Sequence, residues 1–251
     1  SAIATLIAQA VSAVLVTVTL MYRTEGMKLC LSQIRMYKRM LQSILKIGLP
    51  AGFEAIMYSI SNIIVQVSIN NFGVDTMAAW TAYSKIDFIF WMINSAFGIS
   101  VMTFVGQNYG AGKWDRIRRG TKICLGMALI SAVSVSIILM SAERFLFGIF
   151  VNDAGVVEIG IRMMNVIAPA YLLFAFIEVF SGALRAQGAV VVSTLITMVG
   201  ICVLRMIWVT LVAAHGTLEQ VIICYPITWA AGALAMSIYY IYKQRKIFQA
   251  R

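Results

Sequence analysis

The chain has 251 residues, of which 61% are hydrophobic and only 12% are charged. Its mean hydropathy of +0.88 is too high for an ordinary soluble domain, in which apolar residues make up about half of the chain. Its formal net charge is +10, from 20 Lys and Arg against 10 Asp and Glu. The composition therefore excludes a soluble globular protein and indicates one that is embedded in lipid.

Seven stretches reach the length of about 20 apolar residues that a bilayer crossing requires. They run from Ala2 to Tyr22, Ile47 to Phe72, Ala79 to Val105, Ile123 to Ala142, Met163 to Ala183, Ala189 to Ala213 and Val221 to Tyr242. The first lacks the basic leader of a signal peptide and is longer than a typical signal core. The fold class is thus predicted to be an all-α integral membrane protein with seven transmembrane helices. Because the chain starts at Ser1, we expect it to be part of a longer protein.

Positive charges concentrate in alternate connections. The first connection, the third connection and the tail hold Arg23, Lys28, Arg35, Lys38, Arg39, Lys46, Lys113, Arg116, Arg118, Arg119, Lys122, Lys243, Arg245, Lys246 and Arg251, and the fifth connection holds Arg185. Since cytoplasmic connections carry the excess positive charge, the chain is predicted to start outside and to end in the cytoplasm. The positive charge then reflects the topology of the chain and gives its cytoplasmic connections some affinity for anionic lipid. No nucleic-acid partner is expected. His215, in an outer connection, is interpreted as a solvated side chain.

Residues 23–46 form the longest polar connection. Apolar side chains recur there at spacings of three and four, at Leu31, Ile34, Tyr37, Leu41, Ile44 and Leu45. This pattern predicts an amphipathic helix on the inner membrane surface, and the alternative is a linker to another half of the protein. The four cysteines form no CxxC pair, so we predict packing residues and no metal or disulfide framework.

Five charged residues lie within the predicted spans: Glu54, Lys85, Asp87, Glu178 and Arg205. Such a residue costs a few kcal/mol in lipid, so each should face a partner or an aqueous cavity. At 1.5 Å per residue, Glu54 and Glu178 lie about 10 Å and about 8 Å from the inner ends of their spans. Together they could hold a proton or a sodium ion; alternatively, each is hydrogen-bonded to Ser, Asn or backbone. Asp87 and Arg205 share a depth nearer the outer end, which predicts a structural ion pair, and Asp87 is a third ion-coupling candidate.

The stretch Gly106-Gln107-Asn108-Tyr109-Gly110-Ala111-Gly112 stands between two long uncharged runs. It is not a phosphate loop, because its outer glycines enclose five residues instead of four and Trp114 follows Lys113 where Ser or Thr is required. A dinucleotide fingerprint would need a preceding strand. The stretch instead predicts a tight cytoplasmic turn, in which glycines allow positive φ and close helix approach and amides cap free backbone groups.

This stretch, with Asp115-Arg116 after it, resembles the inner-loop signature of the multidrug and toxic compound extrusion (MATE) family of cation-coupled exporters. Two further stretches agree with the resemblance. Gly48-Leu49-Pro50-Ala51-Gly52 is similar to the opening of the family's seventh helix. Leu184-Arg185-Ala186-Gln187-Gly188 is similar to the Leu-Arg-Gly-x-Gly turn after the tenth helix, with Ala186 in place of a glycine.

The resemblance implies half of a transporter that has twelve helices in two lobes. Residues 1–22 would be the last helix of the first lobe, 23–46 a linker, 47–242 the six-helix second lobe and 243–251 a basic cytoplasmic tail. The family exports organic, often cationic, compounds against sodium ions or protons, so we expect an antiporter in the plasma (inner) membrane with no cofactor beyond the coupling ion. Glu54 and Glu178 fall on helices that carry coupling acids in some members, whereas other members use the first helix. The implied partners are membrane lipid, a small organic substrate and the N-terminal lobe of the same protein.

Seven side chains in the spans that would line the transport cleft are candidate substrate contacts: Tyr58, Asn62, Gln66, Trp91, Asn94, Tyr171 and Phe174. Aromatic faces attract organic cations, although such residues also pack against lipid, and mid-span amides also join helices. Two alternatives remain open, a flippase of lipid-linked saccharides from the same superfamily and a seven-helix receptor or scaffold. An enzyme is not expected, because the one histidine lies in a connection and leaves no obvious histidine-based site.

Overall fold

A computed structural model describes residues 2–22, 29–30, 35–212 and 216–249 of the chain. These residues form α1 (Ala2–Tyr22), α2 (Lys38–Asn70), α3 (Val74–Gly110), α4 (Trp114–Ser141), α5 (Glu143–Phe150), α6 (Ala154–Ile167), α7 (Tyr171–Ala186), α8 (Val190–Thr197), α9 (Leu204–Leu211), α10 (Leu218–Ile222) and α11 (Cys224–Gln249). A 3₁₀ turn, Ala168–Ala170, joins α6 to α7, and a π-helical segment, Met198–Val203, joins α8 to α9. Within the described ranges the fold is entirely helical.

Seven helical stretches of the described residues are long and apolar enough to cross a membrane. They are α1 alone, α2, α3, α4, α6 with α7, α8 with α9, and α10 with α11. The prediction of an all-α membrane protein with seven crossings is therefore confirmed. It succeeded because a lipid-spanning helix must satisfy its own backbone hydrogen bonds and present an apolar surface along its whole length.

Backbone contacts divide the chain into two units, residues 1–46 and 47–251. In the first unit, residues 35–37 are not helical and α2 begins at Lys38. The predicted amphipathic helix, whose apolar positions run from Leu31 to Leu45, is therefore wrong at residues 35–37, whereas residues 38–46 are helical as the first part of α2. Several residues that the sequence predictions used lie outside the described ranges: Arg23, Lys28, Leu31, Ile34, His215 and Arg251.

In the second unit, α7 lies at the centre and packs against α3, α4 and α11. Its side chains at Tyr171, Ala175, Val179 and Leu184 are fully buried. A helix that is covered on several sides needs apolar residues around its circumference, and the sequence Tyr171–Ala186 has this character, with Glu178 and Arg185 as the exceptions. Those two exceptions mark the polar site described below.

Two pairs of glycines let helices of the second unit approach closely. A Cβ added at Gly182 of α7 would lie 2.7 Å from the Gly98 carbonyl oxygen of α3. A Cβ added at Gly200 would lie 3.4 Å from the Gly232 Cα of α11. Small residues at such crossings are typical of helix packing in membranes, where close backbone approach supplies the attraction that hydrophobic burial supplies in water.

Helix boundaries differ from the predicted ones because several helices extend beyond their apolar runs. The second apolar stretch begins at Ile47, but α2 begins at Lys38, so Pro50 lies well inside the helix. The fifth span begins at Ala154 and not at Met163, and Pro169 forms the 3₁₀ turn between its two halves. Hydrophobicity locates the segment that crosses lipid, whereas backbone hydrogen bonding carries the helix on into polar sequence.

Candidate functional site

A polar cavity of about 260 Å³ lies among α2, α3, α7 and α8 and contains two of the predicted acids. Glu54 and Glu178 both line it, together with Arg185. We call it the acid cavity. Its further lining includes Tyr58, Trp91, Asn94, Ser95, Phe174, Ile177, Ser181 and Thr197. The equal depths counted from the sequence thus correspond to a shared cavity in the structure.

Within the acid cavity, Glu54 is held by an ion pair. The Arg185 Nη2 donates to both carboxylate oxygens of Glu54 at 2.7 Å, and the Thr194 Oγ1 donates to Glu54 Oε2 at 3.1 Å. Glu54 is 8% exposed, so this pairing removes much of the cost of burying its charge. The Arg185 Nε is buried without a hydrogen-bond partner among the described residues.

The role of Arg185 was missed in the sequence, where it was counted as a loop cation. The structure places it in the last turn of α7. It follows Glu178 by seven residues, which is about two helical turns and puts both side chains on one face. That spacing was the available signal. The sequence prediction failed because the apolar run ends at Ala183, two residues before Arg185.

Glu178 differs from Glu54 in having no hydrogen-bond partner within the described part of the chain. Its carboxylate lies against Gly98, where an added Cβ would overlap Glu178 Oε1. A smaller cavity of about 150 Å³ adjoins this point and is lined by Gly98, Ile99, Met102, Glu178, Ser181, Gly182 and Arg185. Gly98 therefore makes the space that the Glu178 side chain occupies. The free carboxylate of Glu178 and the paired carboxylate of Glu54 face the same cavity.

A second cavity, of about 330 Å³, contains the third predicted acid, Asp87 of α3. We call it the aromatic cavity. Trp91 Nε1 donates to Asp87 Oδ2 at 2.5 Å, and the Tyr171 hydroxyl donates to Asp87 Oδ1. Tyr171 is itself 3.1 Å from the Tyr83 hydroxyl. The Asp87 carboxylate is thus fixed by donors on two helices, α3 and α7.

The aromatic cavity is walled by rings from α3 and α11. Its lining consists of Asn62, Gln66, Trp80, Tyr83, Ser84, Asp87, Phe88, Trp91, Ile167, Tyr225 and Trp229. Ring centroids of Trp80 and Tyr83 are 5.4 Å apart, and those of Tyr225 and Trp229 are 5.5 Å apart. None of these four rings was predicted from the sequence as a substrate contact. Trp80 and Tyr83 lie two turns and about one turn before Asp87, so helical spacing would have placed them on its face.

The predicted ion pair between Asp87 and Arg205 is not present, and this prediction is corrected. Arg205 Nη1 donates to Asn62 Oδ1 at 3.2 Å, and its guanidinium lies 4.3 Å from the centre of the Tyr225 ring. Equal depth had suggested the pair, but depth along a helix does not determine which way a side chain points. Arg205 finds an amide and an aromatic face instead, both of which stabilise a buried cation.

Six of the seven predicted substrate residues line one of the two cavities. Asn62 and Gln66 line the aromatic cavity, Tyr58, Asn94 and Phe174 line the acid cavity, and Trp91 lines both. Tyr171 is fully buried and orients Asp87 from behind the cavity wall. Whether any of these side chains touches a substrate stays a prediction. Trp91 stands out because it contributes to the lining of both cavities.

The signature stretch lies away from both cavities. Gly106, Gln107, Asn108 and Gly110 belong to α3, and only the segment from Ala111 to Lys113 turns toward α4. The expected positive φ occurs at Gly112 alone, at 66°. Asn108 Nδ2 donates to the Phe104 carbonyl of its own helix at 2.8 Å, so this amide does not cap the turn as predicted. A Cβ added at Gly106 or Gly110 would meet nothing within 4 Å, which corrects the expectation of close helix approach there.

Comparisons with known proteins agree on one family. The MatE family profile matches residues 50–211 of the chain. Probable multidrug resistance protein YoeA of Bacillus subtilis is 25% identical over 219 residues, which are 85% of this chain and 47% of that protein. Multidrug and toxin extrusion protein 1 of Homo sapiens is 22% identical over 158 residues, 61% of this chain and 28% of that protein.

The comparison with solved structures shows a shared fold. The crystal structure of MATE in complex with MaL6 matches with a TM-score of 0.89 at 16% identity, over 99% of this chain and 57% of that chain. The chain spans about half the length of YoeA and less than a third of the human protein. Since the family profile covers more than half of the present sequence, the chain belongs to the MatE family, the multidrug and toxic compound extrusion transporters.

Proposed function

We propose that this chain forms the second-lobe part of a cation-coupled antiporter that exports organic cations by alternating access. The observation that carries the proposal is the pair of cavities, one with an oriented carboxylate among aromatic rings and one with two acids, both lined by Trp91. The names of relatives, which include multidrug resistance and multidrug and toxin extrusion proteins, support export of drug-like compounds. The first lobe is the proposed partner that completes the cleft.

The aromatic cavity is suited to the substrate. Its volume of about 330 Å³ is at the small end of the range for small-molecule pockets, and the first lobe would enlarge it. Tryptophan and tyrosine faces attract organic cations, and a nearby carboxylate adds a full opposite charge. Because Asp87 is already oriented by Trp91 and Tyr171, it can bind a cation with little further loss of side-chain freedom. We therefore assign Asp87 to substrate binding.

The acid cavity is suited to the coupling ion, and Glu178 is its best candidate ligand. An ion that binds Glu54 must displace the Arg185 guanidinium from both carboxylate oxygens. Glu178 faces the same cavity and accepts no hydrogen bond from a cation within the described residues, although the Arg185 charge acts on it across the cavity. When a proton or a sodium ion arrives at Glu178, Arg185 keeps Glu54 neutralised, so the cavity never holds two unpaired carboxylates. Trp91, which contacts both cavities, provides a physical route by which occupancy of one can affect the other.

The alternatives are less well supported. A flippase of lipid-linked saccharides would need a site for a far larger headgroup, whereas the aromatic cavity measures about 330 Å³ and combines a carboxylate with aromatic faces. A seven-helix receptor has no support from the family match. We further propose residence in the plasma (inner) membrane with a cytoplasmic C-terminus, because the basic connections follow the expected charge asymmetry.

The proposal is tested in the complete transporter, reconstituted in vesicles, by measuring efflux of a fluorescent organic cation driven by a proton or sodium gradient. We expect Glu178→Gln to abolish the dependence of efflux on the gradient. Asp87→Asn should raise the apparent KM about tenfold, the scale of one lost charge contact to a desolvated cation. Glu158→Gln is the matched control, because this acid lies in an exposed pair with Arg144.

Each outcome has a definite meaning. Gradient-driven efflux that persists unchanged in Glu178→Gln would contradict the coupling assignment, whichever ion is used. An unchanged KM in Asp87→Asn would contradict the substrate assignment. Equal loss of activity in Glu158→Gln would show that removing any carboxylate damages the protein, and both assignments would then be withdrawn.

A further inference from the structure

A third cavity, separate from the two described above, lies between the beginning of α4 and the end of α11. It measures about 450 Å³ and is lined by Arg118, Lys122, Tyr240, Ile241, Gln244 and Arg245. Arg118 and Lys122 lie in the first turns of α4, and Gln244 and Arg245 lie in the last turns of α11. Because one helix starts and the other ends here, the cavity opens at the end of two spans, at the level of lipid headgroups.

The charges of this cavity are of one sign. It is lined by three cations, and among the described residues no carboxylate contributes to its wall. The three ion pairs found in the described ranges are those of Arg144, Arg162 and Arg185, so neither Lys122 nor Arg245 takes part in one. An anion placed between the two helices would be attracted by Lys122 from one side and by Arg245 from the other.

The uncharged part of the wall is rigid and offers a further donor. The Tyr240 ring stacks on Phe180 with centroids 4.5 Å apart. Its buried hydroxyl lies beside the Thr121 side chain and makes no hydrogen bond of good geometry within the described residues. Gln244 Nε2 donates to Gln187 Oε1 at 3.1 Å, and Lys243 Nζ donates to the Gln187 carbonyl at 3.0 Å. These contacts fix the end of α11 against the turn after α7. The cavity is therefore preformed and does not depend on flexible side chains alone.

The surface next to the cavity favours a lipid over a free anion. From Ile241, an exposed apolar row continues along α11 through Ile238 and Leu234, at spacings of three and four residues. Such spacing places the three side chains on one face of the helix. An acyl chain can lie along this row while its phosphate occupies the basic cavity. A free phosphate would use the cations and leave the apolar row without a partner.

We propose that the cavity between α4 and α11 is a specific binding site for the phosphate headgroup of an anionic membrane phospholipid. Lys122 and Arg245 contact the phosphate from opposite helices, and the Tyr240 hydroxyl donates a hydrogen bond to it. Basic pockets between spans at the membrane surface are known to select anionic lipids in this manner. The bound lipid holds the start of α4 to the end of α11. This site does not depend on the transport activity proposed above.

The test measures lipid binding to the complete transporter, purified and delipidated, by native mass spectrometry. Phosphatidylglycerol is the probe, phosphatidylcholine is the zwitterionic comparison, and inorganic phosphate is added as a competitor. The test variant is Lys122→Gln with Arg245→Gln. The control is Arg119→Gln with Lys246→Gln, which removes two neighbouring exposed cations of the same helices that do not line the cavity. Tyr240→Phe removes the hydroxyl and keeps the ring.

We expect phosphatidylglycerol to bind more tightly than phosphatidylcholine. The test variant should bind phosphatidylglycerol about 30-fold more weakly, as expected for the loss of two interfacial cations. Tyr240→Phe should weaken binding about fivefold, the effect of one hydrogen bond, without lowering the thermal midpoint of the lipid-free protein. The control should bind as the unmodified protein does.

Three results would overturn the proposal. Equal binding of both lipids would remove the selectivity for an anionic headgroup. If the test and control variants lose the same affinity for phosphatidylglycerol, the lipid binds to the basic surface in general and not to this cavity. If inorganic phosphate displaces phosphatidylglycerol at concentrations similar to those at which phosphatidylglycerol itself binds, the cavity is a site for free anions. Because the readout is binding, none of these results depends on whether the protein exports cations.

Discussion

Replacing Arg185 by glutamine tests whether the ion pair in the acid cavity stabilises the fold. The substitution removes both 2.7 Å contacts to Glu54 and leaves Thr194 as the remaining donor to that carboxylate. Breaking a buried ion pair by removing one partner costs about 3–5 kcal/mol. The Arg185 side chain retains 29% exposure and the Glu54 side chain 11%, so we expect the low end, about 3 kcal/mol of unfolding free energy.

The reverse substitution should cost less. In Glu54→Gln, Arg185 still shares the cavity with Glu178, which can take over as its partner, so we expect a loss of about 1 kcal/mol. The double variant, Arg185→Gln with Glu54→Gln, has no unpaired charge at position 54 and should be more stable than Arg185→Gln alone. If the two residues acted independently, the two losses of unfolding free energy would add, and the double variant would be the least stable of the three.

The assay is chemical unfolding of the complete transporter in mixed micelles, followed by tryptophan fluorescence. Arg144→Gln is the control for removing an arginine, since its pair with Glu158 is exposed, with 80% and 56% of the side chains accessible. Exposed pairs contribute at most about 1 kcal/mol. If Arg185→Gln costs no more than Arg144→Gln, or if the two losses in the cavity add, the ion pair does not stabilise the fold in the way described.

Three further predictions concern helix packing and the tryptophan that lines both cavities. Gly182→Ala should lower the unfolding free energy by about 1–3 kcal/mol, because its Cβ would lie 2.7 Å from a backbone oxygen of α3; unchanged stability would contradict this contact. Gly106 is the matched helical glycine, because a Cβ added there would meet nothing within 4 Å. Gly106→Ala should therefore be neutral or raise the unfolding free energy by up to about 1 kcal/mol. A loss as large as that of Gly182→Ala would show that the helix contact at Gly182 is not the cause. Trp91→Phe removes the donor to Asp87 and should raise the KM for an organic cation several-fold while gradient-driven efflux persists, so an unaltered KM would argue against a positioning role for the indole.

Several features of this protein could be predicted from the sequence because they depend on local composition. The seven crossings follow from the length of apolar runs, since lipid offers no hydrogen-bond partner to the backbone. The family follows from short strings around Pro50, Gly106 and Arg185, which are contiguous in the chain. Glu54, Asp87 and Glu178 could be selected as site residues because a charge within an apolar span is costly and needs a compensating environment.

The partners of those charges were decided by the tertiary structure. Residue counting gives the depth of a side chain in the membrane, but the rotation of each helix and its choice of neighbours depend on packing against all the others. For this reason Arg205 meets Asn62 and Tyr225 instead of Asp87, and Arg185 reaches back to Glu54 from the end of α7. The sequence by itself determined that acids lie within the membrane and which family carries them. Only the fold determined which acid is hydrogen-bonded to an arginine, which is not, and that one tryptophan lines both cavities.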